Sequence, residues 1–390
     1  MRFVWRRRIP LAWCLLTRQP GRLVVALAGI CFAGMLMFLQ LGFRDALFDA
    51  SITIYRLFNA DVVVVSSTSS SSVSMEPFPQ RRLFQAASWP EVESIAPVRW
   101  SLLVWKNPET GSPRAIQAVG FDPNDDILNL KSLTEQKKGL QLDQRVLYDR
   151  LSRPEFGPVE DWFNAGRTVT AEVQNTQVWV EGLVELGVSF GADGHLLTSN
   201  HTFNQLVGSS DGSSTSIELG LIRLVPGADP DAVAAALNKA LPDDVQVLTK
   251  QEFLDSEQDY WREATSIGFI FNLGAAMGLV VGAVVVYQIL FSDVVDHLPE
   301  YATLKAMGYS SMDLVMVILQ ESLLLAGFGY IPAFLAGKGI YGLARGATNL
   351  PIVMSSQMAI FVFVMIFVMC IISGLLAMGK IRDADPAEVF

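Results

Sequence analysis

Residues 264–291 read ATSIGFIFNLGAAMGLVVGAVVVYQILF, without a single Asp, Glu, Lys or Arg. This exceeds the ~20 apolar residues that a helix needs to cross ~30 Å of hydrocarbon. Outward from it lie three runs of the same character: 23–43, 314–337 (one charge, Glu321) and 352–379. In hydrocarbon the backbone must satisfy its own hydrogen bonds, so a spanning segment is a helix or part of a closed barrel. None of the four runs alternates with the period of two of a barrel strand. The expectation is an α-helical membrane protein with four transmembrane helices, TM1 at 23–43, TM2 at 264–291, TM3 at 314–337 and TM4 at 352–379. One polar block, 44–262, divides them one plus three.

Arg2, Arg6, Arg7, Arg8, Arg18 and Arg22 precede TM1 with no acidic residue among them. Positive flanks stay in the cytoplasm, so the segment 1–22 is expected there, and four crossings return the tail 380–390, with Lys380 and Arg382, to the same side. The large block then faces the periplasm, as does the loop 338–351. The short loops run against this bias, since 338–351 holds Lys338 and Arg345 while the inner loop 292–313 holds only Lys305; six arginines outweigh that difference. Run 23–43 is longer than a signal-peptide core and no small-x-small site follows, so an uncleaved anchor in the cell inner (plasma) membrane is expected.

The formal charge of −10 is uneven: residues 44–262 hold 18 basic and 30 acidic side chains. An acidic exterior argues against nucleic acid as a partner. Cys14, Cys31 and Cys370 lie in or beside the spans, which leaves the outer block without a disulfide framework and dependent on its own core. Apolar residues at helical spacing continue past TM1 (Phe43, Ala46, Leu47, Ala50, Ile54, Phe58) and precede TM2 (Phe253, Leu254, Tyr260, Trp261), which predicts stalk helices at 44–59 and 250–263. Thr249 and Glu252 form a capping-box pattern at the second. Between them, 60–249 is the periplasmic domain. Strands are predicted at 61–66, 92–106, 114–120, 217–225 and 245–249, with helices at 79–88 and from Pro230 to the residue before Pro242, Asp229 being the N-cap. The order β-α-β-β, then β-α-β, predicts a split α+β sheet with helices on one face. Residues 121–216 read as an inserted, mostly-β subdomain with a hairpin at 168–174 and 177–186. The serine-rich stretches 66–74 and 209–216 read as mobile loops.

Chemistry is thin. The Gly-Lys pairs Gly337-Lys338 and Gly379-Lys380 lack the phosphate-cradling loop and the following Ser/Thr of a nucleotide site. No enzyme activity and no cofactor are expected, and the chain should not hydrolyse ATP. His195 and His201, with Asp193 nearby, have no cysteine or further histidine to complete a metal shell. Gly187, Gly191 and Gly194 read as turn glycines. Three features have more content. Gln320 and Glu321 lie inside TM3, where an ionisable group is costly and by default functional. Gly274, Gly278 and Gly282 recur every four residues on one face of TM2 and favour close helix packing, within the chain or with a twin. In the cytoplasmic loop 292–313, Pro299 suits the first position of a short helix, Glu300 its first turn, Lys305 its last and Gly308 its C-terminal cap. That helix would present Tyr301 and Leu304 at the cytoplasmic face as a docking element.

The loop EYATLKAMGYS (300–310), the QES of TM3 (320–322) and the tail DADPAEVF (383–390) resemble the FtsX-like or MacB-like permease superfamily. Within it the chain is similar to the cyanobacterial DevC type, through LQLGFRDALFD (39–49), WKNPETG (105–111), SRPEFGP (152–158), SFGADG (189–194), DHLPEYATLKAMGY (296–309) and ATNLP (347–351). The resemblance implies a homodimeric permease with a separate, DevA-like ABC ATPase subunit, a DevB-like periplasmic membrane-fusion adaptor and a TolC-like outer-membrane channel. It implies that the porter-like sheet domain receives motion through the stalks, that no transmembrane pore is needed, and that the cargo is a membrane lipid such as a glycolipid. Carried over for ATPase coupling are His297, Leu298, Pro299, Glu300, Tyr301, Leu304, Lys305, Met307 and Gly308. Two alternatives stay open: an FtsX-type regulator of a cell-wall hydrolase, and a lipoprotein-release permease.

Overall fold

The computed structural model describes residues 18, 20–187, 189, 191–208, 215–264, 266–297, 303, 307, 311–348, 350 and 352–377. The chain divides into two compact units, Leu47–Thr265, and Met1–Ala46 with Ser266–Phe390. Helix α1 (Pro20–Ser51) and the turn α2 (Thr53–Arg56) open it. There follow β1 (Val62–Ser66), β2 (Phe78–Pro79), α3 (Arg81–Ala86), β3 (Val92–Lys106), β4 (Pro113–Phe121), α4 (Lys131–Gln136), β5 (Arg145–Asp149), α5 (Val159–Asn164), β6 (Thr170–Val173), β7 (Thr176–Val184), β8 (His195–Ser199), α6 (Asn200–Val207), β9 (Ser216–Ile217), β10 (Leu219–Leu224), α7 (Pro230–Ala240), β11 (Val245–Thr249) and α8 (Lys250–Asp259).

In the Leu47–Thr265 unit a nine-stranded sheet has the order β11-β1-β10-β3-β4-β8-β5-β7-β6. All five residues of β1 are buried, and its alternation explains why the run is continuously apolar. Val62 and Val64 point into a core with Leu83 of α3 and Leu237 of α7. Val63 and Val65 join a second core with Tyr55, Phe58, Phe253 and Leu254. A strand covered on both faces loses the polar alternation of a half-exposed one. Helices therefore lie on both faces here, where the sequence order predicted one.

β3 is shared. Residues 92–98 pair with β10, residues 99–106 pair with β4, and Trp105 and Lys106 pair with β6 as well. The last pairing closes β3-β4-β8-β5-β7-β6 into a six-strand ring around Trp105, Ile116, Tyr148, Val178, Leu196 and Phe203. Closure removes strand edges. Segment 121–216 supplies β5 to β8 of this ring, and the second half of β3 with β4 completes it. Two amide side chains satisfy strand backbone that no strand reaches: Asn238 binds the N–H and C=O of Val247 on the outer edge of β11 at 2.8 and 2.6 Å, and Gln136 those of Leu183, where β7 runs past its pairing with β6, both at 3.0 Å.

Three of the quoted phrases meet at the ring. Trp105 donates its indole N–H to the Phe156 carbonyl at 3.0 Å and Asn107 its amide to Glu155 O at 2.9 Å, while Asp193 pairs with both Arg114 (2.8 Å) and Arg153 (2.9 Å). Asn107 also sits 2.9 Å from where a Cβ would stand on Gly157, whose φ of +107° suits glycine. Of the local signals, Asp229 caps α7 through Asp231 N–H, and Thr249 with Glu252 forms the complete capping box on α8.

After α8, a π-helical turn (Tyr260–Ala264) precedes α9 (Ser266–Asp296). The expected stalk 250–263 is thus two helical geometries in series, and π-turns concentrate at functional positions. With α10 (Ser311–Thr348) and α11 (Ser356–Ala377), α9 and α1 are, among the described residues, the four helices long and apolar enough to cross a membrane. Their shared core holds Ile30, Phe38, Leu325, Val362, Ile366 and Met369. α10 continues through most of the stretch 338–351 that was predicted as a loop. The reason is packing: Tyr341 is 3% exposed, and its hydroxyl bonds the Phe38 carbonyl, so continued helix buries a ring that a loop would leave in lipid or water.

Candidate functional site

Helix α9 is the organising element of the membrane unit. A Cβ at Gly274 would lie 2.6 Å from Gln40 Cδ, one at Gly278 would lie 3.3 Å from Leu36 Cβ, and one at Gly282 would lie 2.5 Å from Ala33 Cβ and 2.6 Å from Met369 Sδ. The glycine face lies against α1, with α11 beside Gly282, inside one chain. Polar contacts fix the same pair of helices near each end: Arg22 pairs with Asp296, and Arg44 Nη1 donates to Asn272 Oδ1 at 2.7 Å. Ser373 of α11 donates to the Ala283 carbonyl at 2.9 Å. Without a hydrophobic drive between helices in lipid, close backbone approach and such hydrogen bonds supply the association.

Gln320 and Glu321 separate although adjacent. Gln320 is exposed on α10, whereas Glu321 is 1% exposed and Ser322 fully buried, its hydroxyl bonded to Ile318 O at 2.8 Å. An ionisable side chain turned into the bundle is the arrangement that hydrocarbon enforces. Of the proposed ATPase-coupling residues, His297 is buried at 5% exposure and Met307 is 64% exposed. The Met307 N–H bonds Thr303 O at 3.0 Å, the spacing of an α-helical turn. Leu298, Pro299, Glu300, Tyr301, Leu304, Lys305 and Gly308 lie outside the described residues.

In the other unit the three residues weighed for metal each have a different neighbour. His195 Nδ1 stands 3.5 Å from Asp149, His201 Nε2 stands 2.9 Å from the Gln205 amide, and Asp193 is held by its two arginines. Among the described residues no group of three His, Cys, Asp or Glu side chains could hold a metal ion. Asp149 is fully buried and takes the backbone N–H groups of Leu151, Leu186 and Gly187, at 3.1, 3.0 and 3.0 Å, so it works as a turn anchor.

Sequence reading missed a junction formed by α2, α8 and β3. The Tyr55 ring lies 5.4 Å from Trp100 and 5.3 Å from Phe253, and Phe58 lies 5.5 Å from Tyr55. Beside them Glu257 is 3% exposed and accepts the Ser72 N–H at 2.7 Å and the Ser72 hydroxyl at 2.6 Å. Burial pushes the Glu257 carboxyl above its ordinary range, and the two Ser72 bonds oppose that shift. The one available signal was that Glu257 falls four residues after Phe253 on the apolar stripe of α8.

Residues 272–386 match the family described as FtsX-like permease C-terminal. Comparison with curated proteins returns no match. Among solved structures, the chain is similar to the periplasmic region of MacB from Actinobacillus actinomycetemcomitans, at 9% identity and a TM-score of 0.34, over 54% of this chain and 95% of that one. It is also similar to the extracellular domain of the ABC-type transporter YknZ from Gram-positive bacteria, at 12% identity and a TM-score of 0.32, over 48% of this chain and 99% of that one. Likeness at that level carries no functional statement. The matched stretch, 272 to 386, runs over most of α9 and all of α10 and α11.

Proposed function

We propose that this chain is the membrane permease subunit of an ABC-type exporter whose ATPase is a separate subunit. The observation that carries the reading is the FtsX-like permease C-terminal match over 272–386, coincident with three of the four apolar helices. The missing phosphate-cradling loop supports a separate ATPase. In this reading both termini are cytoplasmic, and the α+β domain is periplasmic. The segment from His297 to Gly308 receives the ATPase, and α8 with the end of α1 hands motion to the sheet. The DevC-type phrases support the finer assignment: a homodimer that engages a membrane-fusion adaptor and a TolC-like duct and exports a lipid-like cargo such as glycolipid. Glu321 and the Gly274, Gly278 and Gly282 face hold the helices that transmit the motion.

The test is affinity purification of the full chain from its native membrane. An ABC ATPase is expected to accompany it, and Leu304→Asp, which puts a charge on the docking face, is expected to cut recovery about tenfold without altering the outer domain. A wild-type preparation free of any ABC ATPase would reject the reading. Equal recovery with Leu304→Asp would reject the docking role alone, and a cell-wall hydrolase in place of an adaptor among the co-purified proteins would favour the regulator.

A further inference from the structure

The stretch 66–74 has the composition of a mobile linker, yet Ser71 and Ser72 are each only 5% exposed. Local bonds shape the loop: Ser69 N–H to Ser66 O at 3.0 Å, Ser74 N–H to Ser71 O at 3.1 Å and Glu76 N–H to Ser69 Oγ at 2.9 Å. What holds it against the domain is Ser72, which uses all three of its polar groups on distant partners. Its N–H and hydroxyl go to the two oxygens of Glu257 on α8, and its carbonyl accepts the Trp100 indole N–H at 3.1 Å. Trp100 lies on β3 just after the point where that strand changes partner from β10 to β4. A carboxylate is buried at a cost unless its lone pairs are occupied, and here one serine occupies both oxygens.

We propose that Glu257 and Ser72 are a latch that straps the serine loop across the junction and couples α8, the helix leading towards the second apolar span, to the strand shared by both parts of the sheet. They are positioning residues. Glu257 sets where Ser72 sits, and Ser72 sets where the Trp100 ring sits against Tyr55. The latch stands independently of the permease assignment; its use in passing motion from α8 to β3 rests on that reading. The hydrogen bonds are the working part, because a neutral amide oxygen at the same position can still accept from Ser72.

Amide hydrogen exchange on the full chain in detergent tests this, read on peptides across 67–76 and across β5 to β8. Glu257→Ala is expected to speed exchange in 67–76 by about tenfold, and Glu257→Gln to stay within about threefold of the wild type. Ser72→Ala, which removes the hydroxyl alone, should speed 67–76 and leave β5 to β8 unchanged. This arm decides the matter if Glu257→Ala loosens the whole domain. Wild-type exchange in Glu257→Ala or in Ser72→Ala overturns the latch, as does Glu257→Gln exchanging as fast as Glu257→Ala. None of these readouts involves an ATPase, so failure of the co-purification experiment sinks the permease reading and leaves the latch standing.

Discussion

At Asp125 one side chain reports the electrostatics of the α+β domain. Its carboxyl is pushed up to about 6 from 3.8, first by burial and then by Asp122, with Lys137 pulling the other way and Asp126 adding to the rise. The folded state therefore binds more protons than the unfolded chain between about pH 4 and pH 6, and stability falls as pH rises through that window. Asp125→Asn removes the titration. It is expected to stabilise the domain by about 1 kcal/mol at pH 7.5, after allowing for solvent screening of a partly exposed group. Below pH 4 the gain should vanish, a contrast that thermal melts at the two pH values check directly. No sequence pattern announced this residue, because the burial that moves it comes from distant segments. Glu321 differs: a lone carboxyl in an apolar run is conspicuous in the string, although its inward turn, opposite to that of Gln320, became visible only with the helices assembled.

Among the elements, α9 shows how spacing becomes packing. Glycines at 274, 278 and 282 were legible as a close-contact face, and their neighbours within this chain, Gln40, Leu36, Ala33 and Met369, became visible only with the helices assembled. Gly282→Leu would drive a branched side chain into the Ala33 and Met369 contacts. Overpacking of that kind costs about 1–3 kcal/mol, and the expected outcome is a lower melting temperature in detergent with wild-type secondary structure by circular dichroism. Unchanged melting would mean that α1 and α9 can part without loss. Caps were equally readable: Asp229-Pro230 and Thr249 with Glu252 are local chemistry, and each stands where the string put it. The continuation of α10 beyond Gly337 and the π-turn before α9 were not readable, since both depend on which distant surface the residues meet.

For the molecule as a whole, the arginine-rich start and the four apolar runs predict cytoplasmic termini and an external domain. Alkaline phosphatase inserted at the exposed Thr110 tip between β3 and β4 should be active, because that enzyme folds only outside the cytoplasm, and the same reporter placed after Phe390 should be inactive. The reverse pattern would invert the topology and remove the cytoplasmic docking loop with it. Four apolar helices, an α+β domain between the first two, and its elements β1, α3, β3, β4, the β6–β7 hairpin, β10, α7 and β11 were legible in the linear string, whereas β5, β8 and α6 were not. The legible elements depend on hydropathy, periodicity and caps, which act over a few residues and need no partner. The closure of six strands through the β3–β6 pairing, the second helical cover over β1 and the Glu257–Ser72–Trp100 junction required the folded chain. Their energetics come from contacts between residues dozens to nearly two hundred positions apart, and such contacts leave no periodic trace because either partner is unremarkable until the other is beside it.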